Sequence, residues 1–350
     1  GGDGAGGRGG RELVGRCDFG SGSQLLQHLS ERKPEVITIV HPDWRGVRSS
    51  AENLFDVRIY IESFSTLEAT SLAQALAVVR CPRVVLHGLP VTYERLVSAL
   101  RRHSPTTRLF VVWHGNFMQL GERDNWHGLR MVLNWAKEGV IERVGFVKQG
   151  MAEVFSRQGV PTGYLLNYVR RIPDGPSEPM QGGPHLGLWA VEPIWRKLPY
   201  TMIAAAALMP GAMLWAAGQN RRAEEVAALV GVPYQRLVDG PVAQTQMPRA
   251  LARMHVNLYV TLSECAPMLP LESLSAGVPC LVGPSTQYFA DEPVLRNNLT
   301  VNVPDDARAI GASLSNALDN RPQIIETYKL FAQRYNRLAK ENLDRFIALQ

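Results

Sequence analysis

The chain has 350 residues, 45% of them hydrophobic, and a formal net charge of +5. At roughly 100–200 residues per domain, this length predicts two domains. The apolar fraction excludes disorder over most of the chain. No apolar run reaches the roughly 18 residues that a membrane-spanning helix needs, so a spanning helix is excluded as well.

The positive charge is carried by 31 Arg and only 6 Lys. Arginine suits phosphate groups, which indicates an anionic substrate or an acidic membrane surface. Arginine-rich codon usage in a GC-rich genome is the alternative explanation. No block of Lys and Arg is long enough to indicate a nucleic-acid partner.

The N-terminal segment and the cysteines bear on cellular location. Residues 1–10 contain seven Gly, and we interpret residues 1–12 as a flexible tail outside the fold. The segment lacks the basic and apolar regions of a secretory signal. The four cysteines lie far apart without a CxxC pair, so we expect neither a disulfide framework nor a zinc site. These features predict a cytoplasmic protein, with a membrane-peripheral position as the alternative.

Short apolar or β-branched runs alternate with amphipathic stretches along the whole chain. In the first half, the sequence predicts strands at 35–40, 57–61, 83–86, 108–113 and 143–147, and helices at 23–30, 67–79, 91–103 and 150–158. In the second half, it predicts strands at 185–189, 212–216, 234–237, 256–260 and 278–282, and helices at 200–209, 222–229 and 246–254. This alternation predicts two parallel-sheet α/β domains of the Rossmann type.

The boundary between the domains is predicted at 170–184, where four Pro and three Gly occur. The first domain then covers 13–169 and the second covers 185–320. The tail, 321–350, predicts one or two helices. Because open parallel sheets bind ligands beyond the carboxyl ends of their strands, we expect two such domains to face a central cleft there.

The most informative stretch is 256–283, which predicts strand, turn, short helix and strand. Glu264 lies in the turn and Glu272 lies in the helix. Pro270 suits the first helical turn, and Gly277 suits the stop. Backbone amides between the two Glu, among them those of Met268 and Leu269, are expected to favour a phosphate group.

This stretch resembles the E-x7-E signature of retaining glycosyltransferases of the GT-B fold, in the family-4-like group. Those proteins carry a Ser-Glu pair after a strand and then a Glu followed by Gly-x-Pro, as in Ser263-Glu264 and in residues 272–279 here. The resemblance implies two Rossmann-like domains, with the C-terminal helices crossing back to the first. It also implies transfer of a sugar from a nucleotide-diphosphate donor to an acceptor hydroxyl, with retention and without a metal or other cofactor.

The resemblance also implies roles for individual residues. Lys197 matches a lysine that reaches the donor diphosphate, and Arg196 substitutes for an arginine that has no other match. Amides of Met268 and Leu269 assist them, Glu272 accepts from ribose hydroxyls, and Glu264 accepts from hydroxyls of the sugar. His114 matches an active-site histidine near the reacting sugar. A solvated basic pair, helix-capping acids and a strand-end histidine are the alternative readings.

The departures from the family keep other functions open. The loop after Glu264 reads Cys265-Ala266-Pro267 where glycines are usual, and the proline removes one amide. A non-catalytic sugar-nucleotide-binding scaffold is one alternative. A nucleotide-sugar epimerase or an inverting transferase on the same fold is another. The acceptor is expected to be a glycan, a lipid-linked molecule or a protein, with peripheral membrane contact left open. His87 is expected to be structural or to lie on the acceptor side.

Overall fold

A computed structural model describes residues 22–170, 178–190, 194–218, 220–238, 240 and 242–348. The predicted tail, 1–12, and part of the predicted linker, 171–177, lie outside these residues. The linker therefore stays a prediction. The chain divides into two compact units. Within the described residues, the first unit groups 22–115, 119–165 and 343–348, and the second groups 116–118 with the segments between 166 and 342.

The first unit is built on a six-stranded parallel sheet in the order β2-β1-β3-β4-β5-β6. Helices separate most of the strands. In chain order the elements are α1 (Gly22–Arg32), β1 (Val36–Val40), α2 (Arg45–Leu54), β2 (Arg58–Tyr60), α3 (Thr66–Val79), β3 (Arg83–His87), α4 (Tyr93–His103), β4 (Arg108–Trp113), α5 (Arg123–Lys137), β5 (Arg143–Phe146), α6 (Met151–Ser156) and β6 (Thr162–Tyr164).

The second unit is built on a five-stranded parallel sheet in the order β11-β10-β7-β8-β9. In chain order the elements are β7 (His185–Leu188), α7 (Pro199–Ala207), β8 (Met213–Ala217), α8 (Arg221–Val230), β9 (Tyr234–Val238), α9 (Met247–Ala252), β10 (Val256–Tyr259), α10 (Met268–Ser275), β11 (Cys280–Val282), α11 (Pro293–Leu299), α12 (Ala307–Asp319) and α13 (Arg321–Ile347).

These elements confirm the predicted fold class of two parallel-sheet α/β domains. Central strands are buried on both faces, as Val84, Val85 and Leu86 of β3 illustrate with no exposed surface. Such strands read as continuous apolar runs, which is why the sequence predicts them. The sequence did not predict β6, a strand of three residues at the edge of the first sheet.

Local signals in the sequence explain where helices begin and end. Helix α3 starts with a capping box, in which the Ser65 hydroxyl accepts from the Glu68 amide and the Glu68 carboxylate accepts from the Ser65 amide. Helix α10 is followed by Gly277 at φ +80°, the left-handed conformation in which a side chain would be strained.

The end of the last helix packs on the first sheet. The tail forms a single helix, α13, and its end belongs to the first unit. The ring of Phe346 meets that of Phe110 with centroids 5.4 Å apart. The Arg143 side chain donates to the carbonyl of Phe346 at 2.6 Å, and that of Arg83 donates to the carbonyl of Ile347 at 2.9 Å. The last carbonyl groups of the helix are therefore hydrogen-bonded by arginine side chains.

Across the part of the chain that the structure describes, no helix is both long enough and apolar enough to traverse a lipid bilayer.

Candidate functional site

Charged side chains meet at the carboxyl ends of two neighbouring strands of the second unit. Strands β7 and β10 are parallel and adjacent, so their ends share one edge of the sheet. A 3-10 turn, Trp195–Lys197, comes after β7, and it ends at Leu198, whose φ of +49° is unusual for a branched side chain. This turn presents Arg196 and Lys197 to the segment that follows β10.

Lys197 forms the centre of the charged cluster. Its ammonium donates to Oε1 of Glu264 and, at 2.8 Å, to the hydroxyl of Tyr259. The same ammonium lies 5.0 Å from the centroid of the Tyr259 ring. The side chains of Lys197 and Glu264 are only 11% and 10% exposed, so their attraction is weakly screened by solvent.

Arg196 adds a second positive charge to the same carboxylate oxygen. Its guanidinium donates to Oε1 of Glu264 at 3.3 Å and to the carbonyl of Ser263 at 3.2 Å. Its Nε is buried and makes no hydrogen bond to any residue that the structure describes. One guanidinium donor is therefore left unsatisfied beside the site.

The loop 263–267, which carries Glu264, is held by two buried asparagines of the second unit. The Asn116 amide donates to the hydroxyl of Ser263 at 3.1 Å. The Asn167 amide donates to the carbonyl of Ala266 at 2.8 Å. Both asparagines are at most 3% exposed. Nothing in the sequence connects these two residues to this loop.

Two further side chains hold the loop from the segment after β11. The hydroxyl of Ser285 accepts from the amide of Glu264 at 2.9 Å. The hydroxyl of Tyr288 donates to the carbonyl of Pro267 at 3.0 Å. Four side chains thus fix a loop that lacks the glycines usual in the family it resembles. The backbone that carries the Glu264 side chain is consequently held in place.

Helix α10 begins directly after this loop with uncapped amides. Its N-cap is Pro267, which offers no side-chain acceptor, and Pro270 at the third helical position has no N–H. The amides of Met268 and Leu269 make no hydrogen bond to other described residues. Free first-turn amides and the helix dipole favour an anion. The residues predicted to bind phosphate through their backbone therefore offer two donors.

Glu272 lies on α10, with its carboxylate accepting from the side-chain amide of Gln244 at 2.8 Å. The helix is fixed to its sheet by the fully buried Asn257, whose amide donates to the hydroxyl of Ser273 at 2.8 Å. That hydroxyl in turn donates to the carbonyl of Val278. This buried network holds the position from which Glu272 is presented.

The first unit carries a histidine pair at the ends of its own neighbouring strands. Nδ1 of His87 and Nε2 of His114 lie 2.9 Å apart, and the two rings stack with centroids 5.1 Å apart. Burial lowers the pKa of His114 to about 3. Burial, and to a lesser degree His114, lowers the pKa of His87 well below its ordinary value. Both imidazoles are therefore neutral at pH 7.

The described residues contain no group of three or more His, Cys, Asp or Glu that could hold a metal ion. None of the three described cysteines, Cys81, Cys265 and Cys280, forms a disulfide with another described residue. The fourth, Cys17, lies outside the described residues.

The structure brings some of the predicted residues together. Arg196, Lys197 and Glu264 form one hydrogen-bonded cluster, and Met268, Leu269 and Glu272 lie on the helix that follows it. His114 belongs to the first unit, where it pairs with His87. Sequence reasoning missed Tyr259 and Tyr288. A polar ring at the end of an otherwise apolar strand is the only signal that could have indicated Tyr259.

No family model matches the sequence, and no characterised protein matches it closely enough in sequence to count as a relative. Solved structures do resemble the fold. HepE from Anabaena, in complex with UDP and glucose, has a TM-score of 0.65 at 11% identity, with 90% of this chain and 100% of that chain covered.

Two further structures resemble the chain over similar lengths. The apo form of the lipopolysaccharide outer core galactosyltransferase WaaB has a TM-score of 0.59 at 13% identity, covering 89% of this chain and 98% of that one. A trehalose-6-phosphate structure from E. coli, bound with UDP-2-fluoro glucose, has a TM-score of 0.57 at 11% identity, with the same coverage of the two chains. At these identities the likeness shows the fold, which is the two-unit α/β arrangement of GT-B proteins.

Proposed function

We propose that the protein is a glycosyltransferase that moves a sugar from a nucleotide-diphosphate donor to an acceptor hydroxyl. The observation that carries the proposal is the cluster of Lys197, Arg196 and Glu264 at the carboxyl ends of β7 and β10. Ligands of open α/β sheets bind at this edge. The fold, shared with structures that hold UDP and glucose or UDP-2-fluoro glucose, supports the same conclusion.

The diphosphate of the donor is assigned to Lys197, Arg196 and the amides of Met268 and Leu269. Two fixed cations and two uncapped amides favour the charge that develops on a leaving diphosphate. They require no reorganisation during the reaction, because the 3-10 turn and the loop 263–267 are already held. Fixed side chains that neutralise the leaving group support a transfer that proceeds without a metal ion.

The sugar and the ribose are assigned to the two carboxylates. Oε1 of Glu264 is occupied by Lys197, whereas Oε2 accepts no hydrogen bond from a described residue and is available to a sugar hydroxyl. Glu272, on the next helix, is assigned to the ribose hydroxyls. His114 is the contribution of the first unit, and its imidazole is proposed to hydrogen-bond a hydroxyl of the donor sugar.

The transfer is proposed to proceed with retention. The bond from the anomeric carbon to the diphosphate oxygen breaks, and the acceptor oxygen bonds to the same face. The acceptor proton passes to the leaving phosphate, so no separate base is required. The low pKa of His114 and the ion-paired state of Glu264 support a mechanism that does not rely on either group as a base. The acceptor class remains a glycan, a lipid-linked molecule or a protein.

A sugar-nucleotide-binding scaffold is the second candidate. It is favoured by the fact that Glu264 already neutralises part of the charge of Lys197 and Arg196 in the unliganded protein. A scaffold would bind the donor without releasing nucleoside diphosphate. An inverting transferase would release it and give a product with the opposite anomeric configuration, whereas an epimerase would yield the nucleotide-sugar of the epimeric sugar without net release.

Donor hydrolysis by the purified protein tests the proposal. UDP-glucose is the first donor to try, followed by GDP- and dTDP-sugars, and thermal shift reports binding. We expect slow release of nucleoside diphosphate that is lost in the Lys197→Ala and Glu272→Ala variants. Lys197→Ala should weaken donor binding by about 1.5–3 kcal/mol, the loss of a charge-assisted hydrogen bond.

The matched control is Lys329→Ala, which removes an exposed lysine paired with Glu326 on α13 of the same unit. This variant should leave the affinity for the donor and the release of nucleoside diphosphate unchanged. Binding without release would support the scaffold. An unchanged affinity in the Lys197→Ala variant would refute the assignment of the diphosphate.

A further inference from the structure

We propose that His87 is the positioning residue for His114: the Nδ1–H of His87 donates to Nε2 of His114, which leaves the Nδ1–H of His114 as the donor offered to a ligand. The inference rests on the proposed function for the nature of that ligand, an oxygen of a sugar hydroxyl. The distances and the burial that support the inference all belong to the first unit.

The contact between the two rings requires a single proton. His87 is the last residue of β3 and His114 directly follows β4, the neighbouring parallel strand. Their facing nitrogens are 2.9 Å apart, within hydrogen-bond distance. Both rings are neutral, so each carries one N–H, and one nitrogen of the facing pair must donate while the other accepts.

The environment of His87 decides which nitrogen donates. Nε2 of His87 is buried and has no hydrogen-bond partner among the described residues. Besides His114, the ring of Phe55 packs against His87 with centroids 5.6 Å apart and nearly perpendicular planes, and it carries no lone pair. A proton on Nε2 would therefore be a buried orphan donor, which native proteins avoid. The proton of His87 consequently lies on Nδ1 and points at His114.

This assignment fixes the chemistry of His114. Because Nε2 of His114 accepts from His87, its own proton lies on Nδ1. That nitrogen makes no hydrogen bond to a described residue, and the side chain is only half-buried. His114 therefore offers a neutral donor with its lone pair already occupied. It can hold a hydroxyl oxygen of a ligand, and it cannot remove a proton from one.

Nitrogen chemical shifts test the tautomers directly. Long-range proton–nitrogen spectra of the full chain labelled with 15N-histidine, assigned with the His87→Asn and His114→Asn variants, distinguish a protonated Nδ1 from a protonated Nε2. We expect Nδ1 to be protonated in both His87 and His114 without any ligand. A protonated Nε2 in His114 would overturn the inference, whatever the activity of the protein.

A pair of variants of equal size tests the functional consequence. Asn at position 87 keeps an amide donor close to the place of Nδ1, whereas an ionised Asp offers only an acceptor. We expect His87→Asn to keep kcat within about threefold of the parent, and His87→Asp to lower kcat about tenfold with KM for the donor little changed.

The outcomes separate the inference from the proposed function. Equal kcat values for His87→Asn and His87→Asp would contradict a positioning role, because a purely structural contact does not distinguish the two. If His87→Asp fails to fold, as circular dichroism would show, the parent spectrum and the retained kcat of His87→Asn decide. A parent that shows the expected tautomers but no turnover would support the pairing and count against the transferase.

Discussion

The two units place different chemistry at the carboxyl ends of their sheets. In the first unit, His87 and His114 are neutral imidazoles joined by one hydrogen bond. In the second, Lys197 and Arg196 surround the carboxylate of Glu264. Both groups are largely removed from water. The difference shows that a buried polar group keeps its charge where a counter-charge is built beside it, and becomes neutral where none is available.

The largest loss of stability is expected when the counter-charge in the second unit is removed. Glu264→Ala leaves two cations in a nearly buried place, and we expect the free energy of unfolding to fall by about 3–5 kcal/mol. Urea denaturation measures the change. Glu225→Ala is the matched control, because it breaks exposed pairs with Arg221 and Arg222 and should change the same quantity by less than about 1 kcal/mol. Equal losses in the two variants would mean that the Glu264 cluster is solvated.

Glycine-to-alanine substitutions compare how well the two units accommodate an added methyl group. A Cβ at Gly283, after β11, would overlap the backbone oxygen of Thr261, whereas at Gly145 it would meet side-chain atoms of Leu165 and Phe346 at 2.6 and 3.0 Å. Backbone cannot give way as side-chain ends can. We expect Gly283→Ala to destabilise by about 1–3 kcal/mol or more and Gly145→Ala by less. The reverse order of the midpoints of thermal unfolding would disprove this contrast.

Acid should reveal the neutral pair of the first unit. The folded pKa values of His87 and His114 are depressed. Their contribution to the free energy of unfolding is therefore complete above the unfolded pKa of about 6.5, and it is lost as the pH falls below that value. At pH 5.5 we expect a loss on the order of 1 kcal/mol for each histidine in the free energy of unfolding.

Comparison with the doubly substituted protein, His87→Leu with His114→Leu, isolates the pair in this acid titration. Burial also lowers the pKa of His255, which is present in both proteins and contributes equally to each. The substituted protein should lose less stability between pH 7 and pH 5.5. Parallel curves would show that the pair does not titrate as its burial implies.

Much of the fold could be predicted because it depends on local patterns. Ten strands were predicted close to where they occur, since buried parallel strands read as apolar runs bounded by turn residues. Strand β6 was missed because its three residues, Thr162, Gly163 and Tyr164, lie at a sheet edge and are not buried. An edge strand needs no apolar run. Segment 162–164 is a strand because it pairs with β5, and its own composition does not indicate one.

The candidate site was predicted less completely. The positions of Lys197 and Glu264 after strands could be read from the sequence, and the structure brings them into contact. The ion pair itself could not be read, because it joins residues 67 positions apart. The same holds for Ser285 and Tyr288, which hold the loop 263–267 from a distant segment. Hydrogen bonds between segments depend on three-dimensional packing, to which a single sequence gives no direct access.

The sharing of one carboxylate oxygen by two cations has an electrostatic consequence. Lys197 and Arg196 bring two positive charges, and Glu264 returns one negative charge, so the resting cluster holds a surplus of one. The partial positive charge at the start of α10 adds to it. Small buffer anions such as chloride or sulfate should therefore compete with the proposed donor diphosphate for this cluster. Donor affinities measured in phosphate buffer should then fall below those measured in a buffer of bulky organic ions.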